Sequence, residues 1–320
     1  MSKFHGRPLF TVYLFMGACL PGGSMVRVVF TNFIGKRSVT MGKFLAWVGV
    51  YAVIFLGCVS PVWGEAPGRI VSLAPSLTRE IYDLQEQDRL VGVTSFCPAE
   101  ARKEREVVGT LTLLNIEKIC ALKPDLVLAS MDSNRETAVE KLKSLGFRVE
   151  VFQGCESFAC MCSEFIRLGS LLGREHEAEQ MVEDIRRQVS GLREKASRGP
   201  AYRVFWQMGT NPLVAAGDNT FTGELIRTAG CRNIFEQLPA KYPRVNVENV
   251  LAADPEVIFL VSDMEDTQVH HALWSRFSRV SAVRQGRVYP LSADLVCQPT
   301  PAMFLQALQT IVACLYQEQP

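Results

Sequence analysis

The first 64 residues contain no Asp or Glu, although the 320-residue chain carries 33 acids in all. Lys3, Arg7, Arg27, Lys36, Arg37 and Lys43 are the bases there, and Phe44 to Gly64 is an uncharged run before the first acid, Glu65. A basic start, an apolar run and a small-residue exit are the parts of an export signal, so residues 1–64 are expected to be a leader. Met41-Gly-Lys43 supplies a natural alternative start. Val62 and Gly64 place small residues where a signal peptidase would cut before Glu65, while Phe55-Leu-Gly-Cys58 offers a lipoprotein-like exit with Cys58 lipidated. An uncleaved anchor is the third option, because the run approaches the ~20 residues that span a bilayer.

Other shortages narrow the function. Net charge is only +1, and no stripe of Lys and Arg with interleaved aromatics occurs, which argues against nucleic-acid binding. Histidine is scarce, with four in the chain. Beyond the leader only His176, His270 and His271 remain. The adjacent pair diverges and His176 falls in a helical stretch, so a bare metal-ion carrier, the first alternative function, has little to build on. No G-x-S-x-G elbow, P-loop or G-x-G-x-x-G turn is present, which leaves a two-lobed α/β enzyme as a further alternative without catalytic machinery. No cofactor of its own is implied. Ten cysteines are present, eight of them past Gly64. Cys155, Cys160 and Cys162 match no metal-ligand spacing, so buried thiols or disulfides are expected, the pairing being open.

With 48% apolar residues, the rest of the chain has ample material for packed cores. Short apolar runs alternate with helical periodicity from Arg69 onward. RIVSL reads as a buried strand and SLTREIYDL as a helix with Ser76 as N-cap. Strands RLVGVT, DLVLA and FRVEVF follow, with a helix through ETAVEKLKSL ending at Gly146. This βαβα order implies a mostly parallel sheet covered by helices. Phe165, Leu168, Leu172, Ala178, Met181, Ile185 and Val189 then recur at helical spacing in a stretch from about 157 to 198, broken near Gly173. It is too long for an ordinary crossover and reads as a spacer. Alternation resumes with YRVFWQM, where Trp206 reads as core, then TGELIRTAG, EVIFLV, RVYPL and a closing helix from Pro301 to Tyr316. The expected division is a first lobe at 65–156, a connecting helix at 157–198 and a second lobe at 199–320.

An internal repeat supports two related lobes. Residues 115–129 read NIEKICALKPDLVLA and residues 246–260 read NVENVLAADPEVIFL. In each, Asn is an N-cap, Glu sits in the first turn where it complements the helix dipole, and Pro ends the helix before a strand.

RIVSLAPSLTREIYDL, RLVGVT and the two copies of the repeat together resemble the cobalamin/ferric-siderophore substrate-binding family, from Arg69 to the C-terminus. The resemblance implies two Rossmann-like α/β lobes with mostly parallel sheets joined by a single long helix, as in class III periplasmic binding proteins. It further implies a corrinoid, haem or ferric-siderophore ligand held in the cleft, small hinge closure, and delivery to the permease of an ABC importer and, through it, to its ATPase. Glu117 and Glu248 match the two carboxylates that dock on permease arginines in that family. The cobalamin-binding pattern places cleft residues at Leu111, Ser130, Met208 and Tyr242, where only Tyr242 keeps an aromatic. Asp294 matches an acid, Gln298 stands where the pattern has Arg, and Phe96 and Cys97 lie on a loop that contributes to the cleft. Met131 is a further candidate for an apolar ligand face.

Overall fold

The computed structural model describes residues 66–262 and 273–316. All described residues belong to one compact unit, Gly64–Pro320. The leader, Glu65, His270 and His271 lie outside the described residues.

The first lobe opens with β1 (Ile70–Ser72), whose three residues are all buried, as expected of a strand covered on both faces. Helix α1 (Pro75–Asp83) follows. Ser76 is not its N-cap. Pro75 occupies the first helical turn, where its missing N–H is no loss, and Ala74 is the cap residue with no side-chain bond. Then come β2 (Leu90–Val93), α2 (Ala99–Glu104), β3 (Glu106–Val107), α3 (Ile116–Leu122), β4 (Leu126–Ser130), α4 (Glu136–Ser144) and β5 (Val149–Phe152). The strands form a five-stranded sheet in the order β3-β2-β1-β4-β5, with every pairing parallel. The two-residue edge strand β3 is too short to show a sequence period.

The spacer is a helical hairpin rather than one rod. Helix α5 (Phe158–Leu172) is N-capped by Ser157 and ends on Gly173 at φ 74, the left-handed conformation that glycine adopts without a Cβ penalty. Helix α6 (Glu175–Ser197) then returns for 23 residues. The packing shows the reversal. Phe158 and Met161 contact the second lobe's core, while Phe165, Leu168 and Leu172 enter the first lobe's. On α6, Ala178 and Val182 pack with the first lobe, and Ile185, Val189 and Ala196 with the second. Helix α6 therefore makes the crossing, with α5 laid against it.

The second lobe contains β6 (Arg203–Thr210), β7 (Leu213–Ala215), α7 (Phe221–Thr228), β8 (Arg232–Asn233), α8 (Val247–Ala253), β9 (Val257–Ser262), α9 (Ser281–Arg284), β10 (Val288–Ser292), α10 (Ala293–Val296) and α11 (Pro301–Tyr316). Its sheet runs β10-β9-β6-β7, with β8 beside β6. Pairing is parallel except for the β6–β7 hairpin, which turns at a cis Asn211–Pro212 bond. Pro290 is tolerated because β10 is an edge strand. Trp206 is core as expected, fully buried against Phe259 at 5.1 Å between ring centroids. Phe304 of α11 stacks on Phe158 at 4.7 Å and meets Phe221 edge-on, tying the hairpin to the second lobe.

The repeat is duplicated in three dimensions. The side-chain oxygen of Asn115 accepts from the Lys118 N–H at 3.0 Å, and that of Asn246 from the Asn249 N–H at 2.8 Å. Each helix has seven residues and ends on a left-handed non-glycine residue, Lys123 (φ 46) or Asp254 (φ 41), just before the Pro. The next acid then ties the strand start: Asp125 accepts from the Arg69 N–H at 2.8 Å and Glu256 from the Arg203 N–H at 3.0 Å. The arginines close the motif on the helix ends, Arg69 onto the Leu122 carbonyl and Arg203 onto that of Ala253.

Candidate functional site

These ties orient the short helices. Leu122 and Ala253, the helix ends, lie beside the beginnings of β1 and β6. The capping residues lie at the opposite edge, because the Asn115 N–H bonds the Val108 carbonyl and the Val245 N–H bonds that of Leu213. Each helix thus runs antiparallel to its sheet, and Glu117 and Glu248 stand at the carboxyl edge of the strands. Both are exposed, and neither side chain makes an ion pair or hydrogen bond among the described residues.

The carboxyl edges of the two sheets face each other. Lys241, on the loop before α8, pairs with Glu156, which follows β5. That hydrogen bond holds the Lys241 ammonium above its usual pKa, with Asp132, just past β4, adding to the effect. Across the same gap the Arg79 Nε–H donates to Gln298 Oε1 at 3.1 Å, and Gln298 Nε2 donates to Asp294 at 3.3 Å. In open α/β sheets, ligands bind at this edge of the strands.

Large apolar side chains stand exposed on three successive loops of the first lobe: Phe96 after β2, Leu113 after β3 and Met131 after β4, the last two each 69% exposed. Tyr242 answers from the second lobe. Its ring is half exposed, yet crowding around the phenol raises its pKa, and neighbouring Cys297 adds to the shift. Gly109, at φ 127, shapes the middle loop, since a Cβ there would lie 2.3 Å from the Leu113 carbonyl oxygen.

Sequence reading placed the candidates unevenly. Phe96, Tyr242 and Asp294 are exposed at the facing edges. Gln298 is 7% exposed but lies at the lobe junction. Cys97 is corrected: it is 1% exposed, its sulfur bonded by Thr78 at 3.1 Å and close to Thr94, so it belongs to the first lobe's core. Ser130 is buried as well, with its N–H held by Asn134 Oδ1, and Met131 beside it is the exposed residue. Leu111 is half-buried with its carbonyl held by Asn134 Nδ2, and the exposed apolar group is Leu113, two residues on. Met208 packs partly into the second lobe's core. Arg79 and Leu113 were missed. Arg79 lies on an amphipathic helix in sequence, where nothing marks which polar residue faces the other lobe.

Cys155 and Cys160 form a disulfide spanning 5.5 Å between Cα atoms, around Ser157 and Glu156 at the start of α5. Cys162 is a buried free thiol. Among the described residues no group of three or more His, Cys, Asp or Glu could hold a metal ion. Surface hollows of about 490 Å³, beside Lys195, Arg198 and Tyr316, and about 460 Å³, beside Asp254 and Phe277, lie away from the candidate residues.

Two lobes with mostly parallel sheets that meet carboxyl edge to carboxyl edge, linked by a long helix, define a two-lobed binding protein that receives its ligand between the lobes. The chain belongs to the periplasmic binding protein family, whose model matches residues 70–295. It is 30% identical to a vitamin B12-binding protein of Yersinia pseudotuberculosis over 70% of this chain and 80% of the relative. Among solved structures it is similar to the periplasmic vitamin B12 binding protein BtuF of Vibrio cholerae, at 28% identity and TM-score 0.69, covering 78% of this chain and 97% of that one. A periplasmic heme binding protein from Pseudomonas aeruginosa aligns at 25% identity and TM-score 0.71, over 78% of this chain and 93% of the other.

Proposed function

We propose that this protein captures a corrinoid or a chemically similar flat macrocycle between its lobes, outside the cytoplasmic membrane, and delivers it to an ABC importer. The observation that carries the reading is the apolar rim of Phe96, Leu113 and Met131 confronting Tyr242 at the edge where the lobes meet. Such side chains are normally buried, and their grouping on three neighbouring loops suits a broad apolar ligand face. The names of the Yersinia and Vibrio relatives put a corrinoid first, and that of the Pseudomonas structure puts haem second. Ferric siderophores are the remaining class to be tried.

Reversible burial between the lobes supplies the affinity, and no covalent step is required. Glu117 and Glu248 are the docking carboxylates, one per lobe, without a partner among the described residues and fixed by N-capped helices. Complementary charge of this kind sets orientation and association rate more than final affinity. The acid-free leader exports the protein, either cleaved before Glu65 or lipidated at Cys58. No helix among the described residues is long and apolar enough to cross a membrane.

The test is native mass spectrometry with visible absorbance on the processed protein, exposed in turn to cyanocobalamin, haemin and a ferric siderophore. A one-to-one complex with cyanocobalamin or haemin, with a perturbed absorption band, is expected. Failure of every probe to bind would overturn the reading.

A further inference from the structure

We infer that Arg79 is a ligand-contacting residue that selects for an anionic oxygen, a carboxylate or a phosphate, on the captured molecule. This rests on the reading of the inter-lobe cleft as the binding site and specifies which ligands it accepts.

Arg79 lies in the second turn of α1 and is half-buried. Its Nε–H reaches Gln298 of the second lobe, across 219 residues of sequence. Gln298 is 7% exposed, and its amide is oriented by donating to Asp294. A guanidinium carries five N–H donors in a planar fork. Only Nε is engaged here; the two terminal nitrogens make no hydrogen bond among the described residues. Among the described residues the one group it hydrogen-bonds is a neutral amide.

The nearby acids leave the charge incompletely answered. Asp83, one turn along the same helix, has its pKa pushed up to about 6 by burial, although Arg79 draws it down. Asp294 stands beyond Gln298. Neither lies within ion-pair distance of Arg79 among the described residues. A partly desolvated guanidinium with four donors unengaged among the described residues matches the bidentate geometry of a carboxylate or phosphate. The amide of Gln298 holds the fork pointed at the opposite lobe until an anionic oxygen takes the open side.

Two probe pairs that differ only in an anionic group test this: haemin against haemin dimethyl ester for the carboxylate, and cobinamide phosphate against cobinamide for the phosphate. Dissociation constants are measured by absorbance titration for wild type, Arg79→Gln and Arg79→Met, with circular dichroism melts to check folding. In wild type the anionic member of at least one pair should bind about tenfold or more tightly, as expected for charge-assisted hydrogen bonds. In both variants that preference, read as the ratio of the two dissociation constants, should fall to about threefold or less. Binding without preference in wild type would overturn the inference and leave the cleft reading standing, as would a preference that survives in either folded variant. Failure of all four probes to bind would overturn the inference, and would sink the cleft reading too if cyanocobalamin and the ferric siderophore also fail.

Discussion

Replacing both free carboxylates, Glu117→Gln with Glu248→Gln, separates docking from stability. Each acid occupies the first turn of a seven-residue helix and touches no partner among the described residues. Its contribution to folding is therefore the interaction with the helix dipole, about 0.3–1 kcal/mol. The pair should lower stability by at most about 2 kcal/mol, a melting shift of about 4–8 °C for a domain of this size. The ligand constant should stay within about twofold, because neither residue is among those joining the lobes. Uptake by proteoliposomes containing the importer should fall by about tenfold or more per carboxylate at low salt, if each forms one close charge pair with the permease. The matched control is Asn115→Ala with Asn246→Ala, which removes the caps at about 1 kcal/mol each while keeping both carboxylates. It should melt no higher than the double Gln variant and yet still support uptake. Normal uptake by the double Gln variant, or equal loss in the capping control, would refute the assignment of the two acids to docking.

Phe304→Ala removes a fully buried ring that stacks on Phe158 and meets Phe221, and should cost about 3–5 kcal/mol, read by urea unfolding. Asp83→Asn should change the pH dependence of stability. Burial raises the Asp83 carboxyl from 3.8 to about 6 in the folded protein, so the folded state binds the extra proton and stability declines as pH rises across that interval. The variant should therefore lose part of this decline and gain up to about 2–3 kcal/mol relative to wild type at pH 7, measured by unfolding at pH 4 and pH 7. Cys155→Ser with Cys160→Ser opens a short loop and should lower stability by about 2 kcal/mol on the chain-entropy account; wild type in reductant should melt at the same temperature as the variant.

Local physics made much of this molecule legible without coordinates. Buried strands such as Ile70–Ser72 and Leu126–Ser130 announce themselves as short apolar runs, and the closing helix Pro301–Tyr316 by its opening proline and apolar content. The duplicated Asn–Glu–Pro pattern was readable because capping, the helix dipole and proline's missing donor all act within a few residues. The two-residue strands β3 and β8, and the hairpin strand β7, were not, because so few residues carry no periodicity and their pairing partners are distant in sequence. The break at Gly173 was visible, but not that the chain reverses there. That direction follows from which core each apolar stripe of α5 and α6 enters.

The site divides the same way. Sequence alone determined the two α/β lobes and the first-turn positions of Glu117 and Glu248, since each depends on order along the chain, whereas the cleft loops were named only by the family resemblance. Only the tertiary structure decided that Cys97 and Ser130 turn inward while Met131 and Leu113 turn outward, and that Arg79 reaches Gln298. Side-chain direction at a strand end changes with a one-residue shift, and a contact across 219 residues exists only once two separately packed sheets have met.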